Sequence, residues 1–380
     1  MRSIVRTCAA FGRRAPLGLA ILWLGCGTST TETPRNLDAG TTGRGVSDAD
    51  ASDVYLIPPT WSGQAASVLS TADQAIAVAV DSSHVYWQNP GGAIYGCPLG
   101  GCSGGNGTLL SSLIGPSSAP LTSLSASGGV AIFLTQTGFA ISTVPFSSPG
   151  VTSTTYTEPN TSAGTGVSAL TTDGSRIYFM STITVDGGFD QALDSCPIQG
   201  PCASPRAILT SNVDYFSMNS YASLGRFAIA DGEAYFVELP STGANALRAV
   251  PLTGGASRTV CGSGATSTLT AVESLVVAGG YAYFTTGENP GSIYQCATTG
   301  VSAPKLYIHD YAPYALATDG ENLYWTNYVG TTGTVATCAL GAKCTSPFTV
   351  ASSQDSPFAI AATASAVYWS TTTSIMTASR

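Results

Sequence analysis

One short motif constrains this chain more than anything else: a β-branched or small residue followed by two large apolar or aromatic ones. It recurs as Val85-Tyr86-Trp87, Ala131-Ile132-Phe133, Ile177-Tyr178-Phe179, Ala234-Tyr235-Phe236, Ala282-Tyr283-Phe284, Leu323-Tyr324-Trp325 and Val367-Tyr368-Trp369. The seven central residues are spaced 46, 46, 57, 48, 41 and 44 apart, a mean of 47. Self-similarity at that period is the mark of a repeat architecture, in which each unit buries its apolar faces only against its neighbours.

Other positions repeat in phase. Asp81, Asp173, Asp231 and Asp319 stand four or five residues before the central residue, as turns between two strands require. Short apolar strands precede them, such as Ile76–Val80, Ala315–Thr318 and Phe358–Ala362. A third strand follows each aromatic strand, often ending in Cys or Pro, as in Ile94-Tyr95-Gly96-Cys97-Pro98, and a fourth completes the unit. Four short strands in each of seven units predict an all-β, seven-bladed β-propeller, which hides most strand edges by closing into a ring. The seventh unit stops at Arg380 without a fourth strand. Val68-Leu69-Ser70-Thr71-Ala72-Asp73 resembles the fourth strand Val350-Ala351-Ser352-Ser353-Gln354-Asp355. The N-terminal strand is therefore expected to close blade seven.

The chain has 380 residues, and charged side chains make up 9% of them, against about 25% in an ordinary globular domain. With 14 basic and 22 acidic residues there is no basic surface for nucleic acid. Arg2, Arg6, Arg13 and Arg14 precede an apolar run of 11 residues, Ala15–Gly25, too short for the roughly 20 residues of a membrane span. Residues 1–25 read as an export signal. Trp23-Leu24-Gly25-Cys26 resembles a bacterial lipobox, which makes Cys26 the expected lipid-attachment residue. Removing the signal leaves 10 basic and 22 acidic residues, a net charge of −12. Residues 26–63, rich in Thr, Gly and Asp, read as a flexible tether. Residues 64–380 then form the propeller, attached to a membrane only through the lipid, in the outer membrane or facing the periplasm.

Three cysteine pairs are local: Cys97/Cys102, Cys196/Cys202 and Cys338/Cys344. Each straddles a short turn after a third strand, so disulfides would clip three hairpins in an oxidising compartment. Zinc would need four ligands brought together, whereas these pairs belong to separate blades and the chain has only 2 His. Cys261 and Cys296 remain. Cys261 falls near the far end of a fourth strand, on the expected opposite edge of the disc from Cys296, which weighs against a bond between them.

Asp319-Gly320-Glu321-Asn322-Leu323-Tyr324-Trp325-Thr326-Asn327 resembles a repeat of the YWTD propellers of lipoprotein-receptor ectodomains, with Asn327 in place of the final Asp. Across residues 65–380 the repeats, with the Cys97–Cys102 hairpin, resemble exported propeller lipoproteins of Gram-negative bacteria with YWTD/NHL-like repeats, a mostly uncharacterised family. That resemblance implies fold and location and no activity.

Candidate site residues lie where loops are expected. Tyr215, Phe216, Tyr221, His309, Asp310, Tyr311 and Tyr314 concentrate aromatics between blades, on the face expected to carry Glu238 and Glu288. Such a rim suits an envelope protein, a peptide or a neutral glycan. Asp186 and Asp190 are the best metal candidates, in what reads as a long loop of blade three, but calcium needs six or more oxygens and the pattern lacks a calcium ladder. No nucleophile elbow, phosphate loop or paired-carboxylate motif appears, and no cofactor is implied. The leading reading is a binding or scaffolding module at the cell envelope. The alternatives are a carboxylate-based hydrolase or lyase acting on a neutral polysaccharide, and a purely structural envelope protein.

Overall fold

The computed structural model describes residues 65–71, 75–112, 123–135, 140–158, 166–185, 188–211, 227–238, 244–262, 269, 272–286, 291–328, 330–341 and 343–380, with backbone alone at 183–185, 188–190 and 211. These form seven four-stranded antiparallel sheets. Blade 1 consists of Ala77–Val80, His84–Gln88, Ile94–Pro98 and Thr108–Ser111. Blade 2 is Leu124–Ser127, Val130–Leu134, Ala140–Pro145 and Ser153–Thr157. Blade 3 is Gly166–Thr172, Arg176–Val185, Gly188–Pro197 and Arg206–Ser211. Blade 4 is Phe227–Ala230, Glu233–Glu238, Ala246–Pro251 and Arg258–Gly262. Blade 5 is Val272–Ala278, Tyr281–Thr286, Gly291–Ala297 and Lys305–Asp310. Blade 6 is Pro313–Thr318, Asn322–Asn327, Gly333–Ala339 and Phe348–Gln354. Blade 7 takes Ile360–Ala362, Ala366–Ser370 and Ser374–Ser379, and its fourth strand is the N-terminal Ser67–Thr71, with Ser67 opposite Thr377. The ring closes as the repeats predict.

The aromatic motif sets the packing. Successive strand residues point to opposite faces, so the two large residues of each motif enter different seams. Tyr86 shares a buried cluster with Phe133 of blade 2, and Ile132 with Phe179. Tyr178 clusters with Phe236, and Tyr235 with Phe284. Tyr283 joins Trp325, Tyr324 joins Trp369, and Tyr368 meets Trp87 to complete the circle. Every seam is thus filled by the first large residue of one blade and the second of the next. Replacing one such ring by Ala removes about 3–5 kcal/mol.

Opposite the second large residue, the innermost strand places an apolar side chain in every blade. The register pairs are Val78/Trp87, Leu124/Phe133, Leu170/Phe179 and Phe227/Phe236. Leu275/Phe284, Leu316/Trp325 and Ile360/Trp369 complete the set. These seven residues line the central channel, which narrows to a cavity of about 210 Å³.

Two turn chemistries join first to second strands. Asp81, Asp173 and Asp319 each accept two backbone N–H bonds from the residues two and three positions on, at 2.6–2.8 Å. Their second oxygens accept the hydroxyls of Tyr86, Tyr178 and Tyr324. Blades 2, 4 and 5 instead use two-residue hairpins with positive φ at both central positions: Gly128-Gly129, Asp231-Gly232 and Gly279-Gly280. Asp231 supplies backbone shape rather than a cap, and Glu233 takes its place as acceptor for Tyr235 Oη at 3.0 Å. The shorter spacing from Asp231 to its aromatic reflects this difference.

All four cysteine pairs are bonded: Cys97–Cys102, Cys196–Cys202, Cys338–Cys344 and Cys261–Cys296. The last corrects the expectation drawn from strand ends. Strand twist rotates the outermost strand of a blade against its inner strands, carrying its far end across the neighbouring blade. The turn between third and fourth strands of one blade therefore reaches the outer strand of the preceding one. Gly150 N–H donates to Leu110, Cys202 N–H to Thr155 and Cys344 N–H to Tyr307. Ser302 exchanges bonds with Val260 and Gly262 in the same way, and Cys261–Cys296 makes that crossing covalent between blades 4 and 5, with Cα atoms 6.0 Å apart.

Candidate functional site

The antiparallel order fixes two faces. One carries the first-to-second and third-to-fourth strand turns, with their capping aspartates and clipped hairpins. The other carries second-to-third connections and the crossings between blades, and the described ligand-face candidates Glu238, His309, Asp310, Tyr311 and Tyr314 belong to it. Tyr215, Phe216, Tyr221, Glu288, Asp186 and Cys26 lie outside the described residues.

His309 and Asp310 end the fourth strand of blade 5 and point apart, as neighbours on a strand must. His309 Nδ1 lies 2.8 Å from Ser292 Oγ. Asp310 Oδ2 accepts Trp325 Nε1–H at 2.6 Å and Asn327 Nδ2–H at 2.9 Å. The two therefore form no proton-transfer couple. Asp310 holds the indole of the next blade, a task Gln354 performs for Trp369 at 3.0 Å. Glu238, ending the second strand of blade 4, pairs with Arg248 Nε at 3.5 Å, and Arg248 is also held by Thr259 and Ser257. The structure does not gather these carboxylates around a shared point. The expected loop at Asp186 and Asp190 is also corrected: two ten-residue strands continue to the pair Val185/Gly188, and Asp190 lies within a strand opposite Ile183. The longer strands leave a two-residue connection in place of a ligand-holding loop. Among the described residues no group of three or more His, Cys, Asp or Glu is placed to hold a metal.

Tyr314 does belong to a surface feature, and Tyr311 precedes it in the same crossing between blades 5 and 6. Tyr314 packs 4.8 Å from Phe358, and Tyr328 closes a triangle with them at 6.1 and 6.3 Å. Tyr311 and Tyr328 are 53% and 42% exposed, so this aromatic group is presented to solvent beside the channel mouth at blades 6 and 7. Its base is rigid. Thr285 Oγ1 accepts Ser274 N–H and donates to the Tyr314 carbonyl at 2.9 Å. Thr326 accepts Ala315 N–H and donates to the Phe358 carbonyl at 3.0 Å. Phe358, Tyr328 and the two threonines escaped sequence reasoning. The available signal was the hydroxyl residue directly after the aromatic pair, present as Thr285, Thr326 and Ser370 but not in blades 1–4.

Among the described residues the channel beneath has no charged lining. The buried acids lie elsewhere: Glu158, 2% exposed, accepts Tyr156 Oη–H at 2.9 Å, and Asp194 accepts Ser181 Oγ–H at 2.7 Å. Burial pushes the Asp194 carboxyl above the usual carboxylate range, with Ser181 opposing the shift. Burial, the Glu158 bond and the charges of Glu158 and Asp194 push the Tyr156 phenol up. No periodic signal marks either acid. Glu158 is enclosed, so it offers an extended polysaccharide no open catalytic cleft.

No protein-family model matches this chain, and no curated protein matches it. Solved propellers do. The WD40 β-propeller domain of Doa1 is 12% identical, TM-score 0.53, over 84% of this chain and 96% of that one. A puromycin-hydrolysing peptidase of Mycobacterium tuberculosis is 17% identical, TM-score 0.52, over 80% of this chain and 52% of that one. PorZ of Porphyromonas gingivalis, described as an essential surface component of a type-IX secretion system, is 14% identical, TM-score 0.51, over 82% of this chain. The match spans 37% of PorZ. With seven sheets closed in a ring and likenesses at these identities, what is established is the β-propeller fold.

Proposed function

We propose that the protein is an exported, lipid-anchored propeller that acts as a binding or scaffolding module at the cell envelope, taking a protein or peptide segment on its loop face. The observation that carries this reading is the solvent-facing aromatic group Tyr314, Tyr328 and Phe358, with exposed Tyr311 in the same crossing, beside a channel whose described lining residues carry no charge. Aromatic rings on a rigid base bury large area at small conformational cost, the usual composition of a binding hot spot. Four disulfides and the signal-like first 25 residues support an oxidising, extracytoplasmic setting, and the lipobox-like Cys26 supports anchoring. Among the described residues the hydrolase alternative finds no carboxylate along the channel.

The test is a photo-crosslinking residue at Tyr328, with a second at the opposite-face position Ser175, in cells expressing the full chain. A discrete adduct from position 328 alone supports the reading. No adduct at 328, or the same adducts from both faces, would defeat it. Mass spectrometry of the mature N-terminus decides the anchor separately: Cys26 without acyl groups removes it.

A further inference from the structure

The seam between blades 7 and 1 differs from the other six, because the N-terminal strand forms one wall of it. There a cavity of about 390 Å³ opens, within the range of small-molecule sites, lined by Thr71, Trp87, Asn89, Tyr95, Asn106 and Thr373. It lies apart from the aromatic group at blades 6 and 7. Trp87 and Tyr95 are cross-strand partners whose rings stack, with centroids 6.0 Å apart and planes inclined by 14°. Gly107 completes the lining: a Cβ there would come within 2.2 Å of the Trp87 ring, so glycine is what lets the indole reach this wall.

The polar groups are unevenly satisfied. Trp325 and Trp369 give their indole N–H to Asp310 and Gln354. The corresponding Trp87 N–H has no acceptor among the described residues. Asn106 Oδ1 accepts the Thr71 hydroxyl at 2.6 Å, and Asn89 Oδ1 accepts Ala93 N–H at 2.9 Å. Both amides are thereby oriented by their oxygens. Among the described residues no lining side chain is charged. A charged ligand would lose its hydration without a counter-ion, and a wholly apolar one would strand the amides, hydroxyls and indole N–H. A small neutral polyol with one apolar face meets both conditions, packing on the half-buried Tyr95 ring and trading hydroxyls with the amides and the indole N–H.

The geometry points to this seam cavity as a binding site for a neutral mono- or disaccharide. The site rests on its own lining and stands independently of any partner held on the aromatic face.

The probes are N-acetylglucosamine and glucose, titrated against the full chain and followed by intrinsic tryptophan fluorescence and calorimetry. Saturable binding of at least one is expected. Thr373→Trp, at an exposed turn position, fills the cavity and should weaken that binding at least tenfold with an unchanged melting temperature. Asn106→Ala should weaken it threefold or more, which keeps the test open should Thr373→Trp fold poorly. Tyr328→Ser should leave it unchanged. Absence of saturable binding for both sugars overturns the assignment, as does full affinity in both cavity variants. Loss in Tyr328→Ser with retention in Thr373→Trp would move the ligand to the aromatic face and likewise overturn it.

Discussion

The two faces of the ring are built by different rules. On one, nearly everything recurs. Asp81, Asp173 and Asp319 cap turns in the same way, with three hairpins clipped beside them. On the other, Tyr311 and Tyr328 stand exposed beside Phe358, and the Thr285 and Thr326 clasps beneath them join blades 5, 6 and 7. Periodic residues answer a need every blade shares, which is closure of its sheet. Aperiodic residues answer a need the ring has once, and exposed ones are where recognition belongs.

That contrast can be tested in order of expected effect. Removing the disulfide between blades 4 and 5 by Cys261→Ala/Cys296→Ala closes no loop across its 35-residue separation, and chain entropy puts the loss near 4 kcal/mol. The local Cys196→Ala/Cys202→Ala pair, separated by 6, should cost about 2 kcal/mol in the same denaturant titration. Equal losses would mean that the crossing between blades is held by packing alone.

Asp319→Ala should come next. Its side chain is shielded from solvent and accepts two backbone N–H bonds, Tyr324 Oη–H and Arg380. About 2 kcal/mol should be lost, read from the denaturation midpoint, since a buried network is left open. The pH dependence carries opposite signs in two places. At Asp173 burial would raise the carboxyl, but Tyr178, Arg176 N–H and Ser175 outweigh it and hold the group at about 2. The folded chain then binds fewer protons than the unfolded one below the ordinary value of 3.8. Its contribution is complete above that value and drains away as pH falls toward 2. Asp194 is raised, so the folded chain keeps a proton that the unfolded chain releases. Its effect is a loss of stability as pH climbs above the ordinary carboxylate value. Asp194→Asn should therefore raise the melting temperature at pH near neutral and leave it unchanged in acid.

Tyr311→Ser and Tyr328→Ser should have the smallest effect on folding, within about 0.5 kcal/mol by thermal melting, because their rings are largely exposed. A loss comparable to Asp319→Ala would place them among the structural residues and dissolve the distinction between the faces.

What could be read in advance follows the same division. The paired large residues, the seven units and the closing strand were legible because alternation and seam packing act identically in every blade. Cys261–Cys296 was not, since the reach of an outer strand depends on accumulated twist that no local spacing records. Glu233 replacing Asp231 as the tyrosine's partner was hidden by a one-residue difference in turn length. Asp190 was misplaced because the glycines beside it suggest a loop where the strands in fact continue to Val185 and Gly188. Tyr328 follows the aromatic motif of one blade alone and Phe358 is matched only by Tyr314, so no repeat announced them, and the cavity beside Trp87 exists only after distant strands meet.

The pairing of Ser67 with Thr377 also imposes a schedule. The first strand of the ring to be synthesised pairs with its last, Ser374–Ser379. Until that strand is made, Ser67–Thr71 has no partner and blade 7 lacks its outer strand. Stability that depends on the ring being whole therefore arrives only with its last strand, and a chain cut short before Ser374 forfeits the seam that holds both ends of the ring.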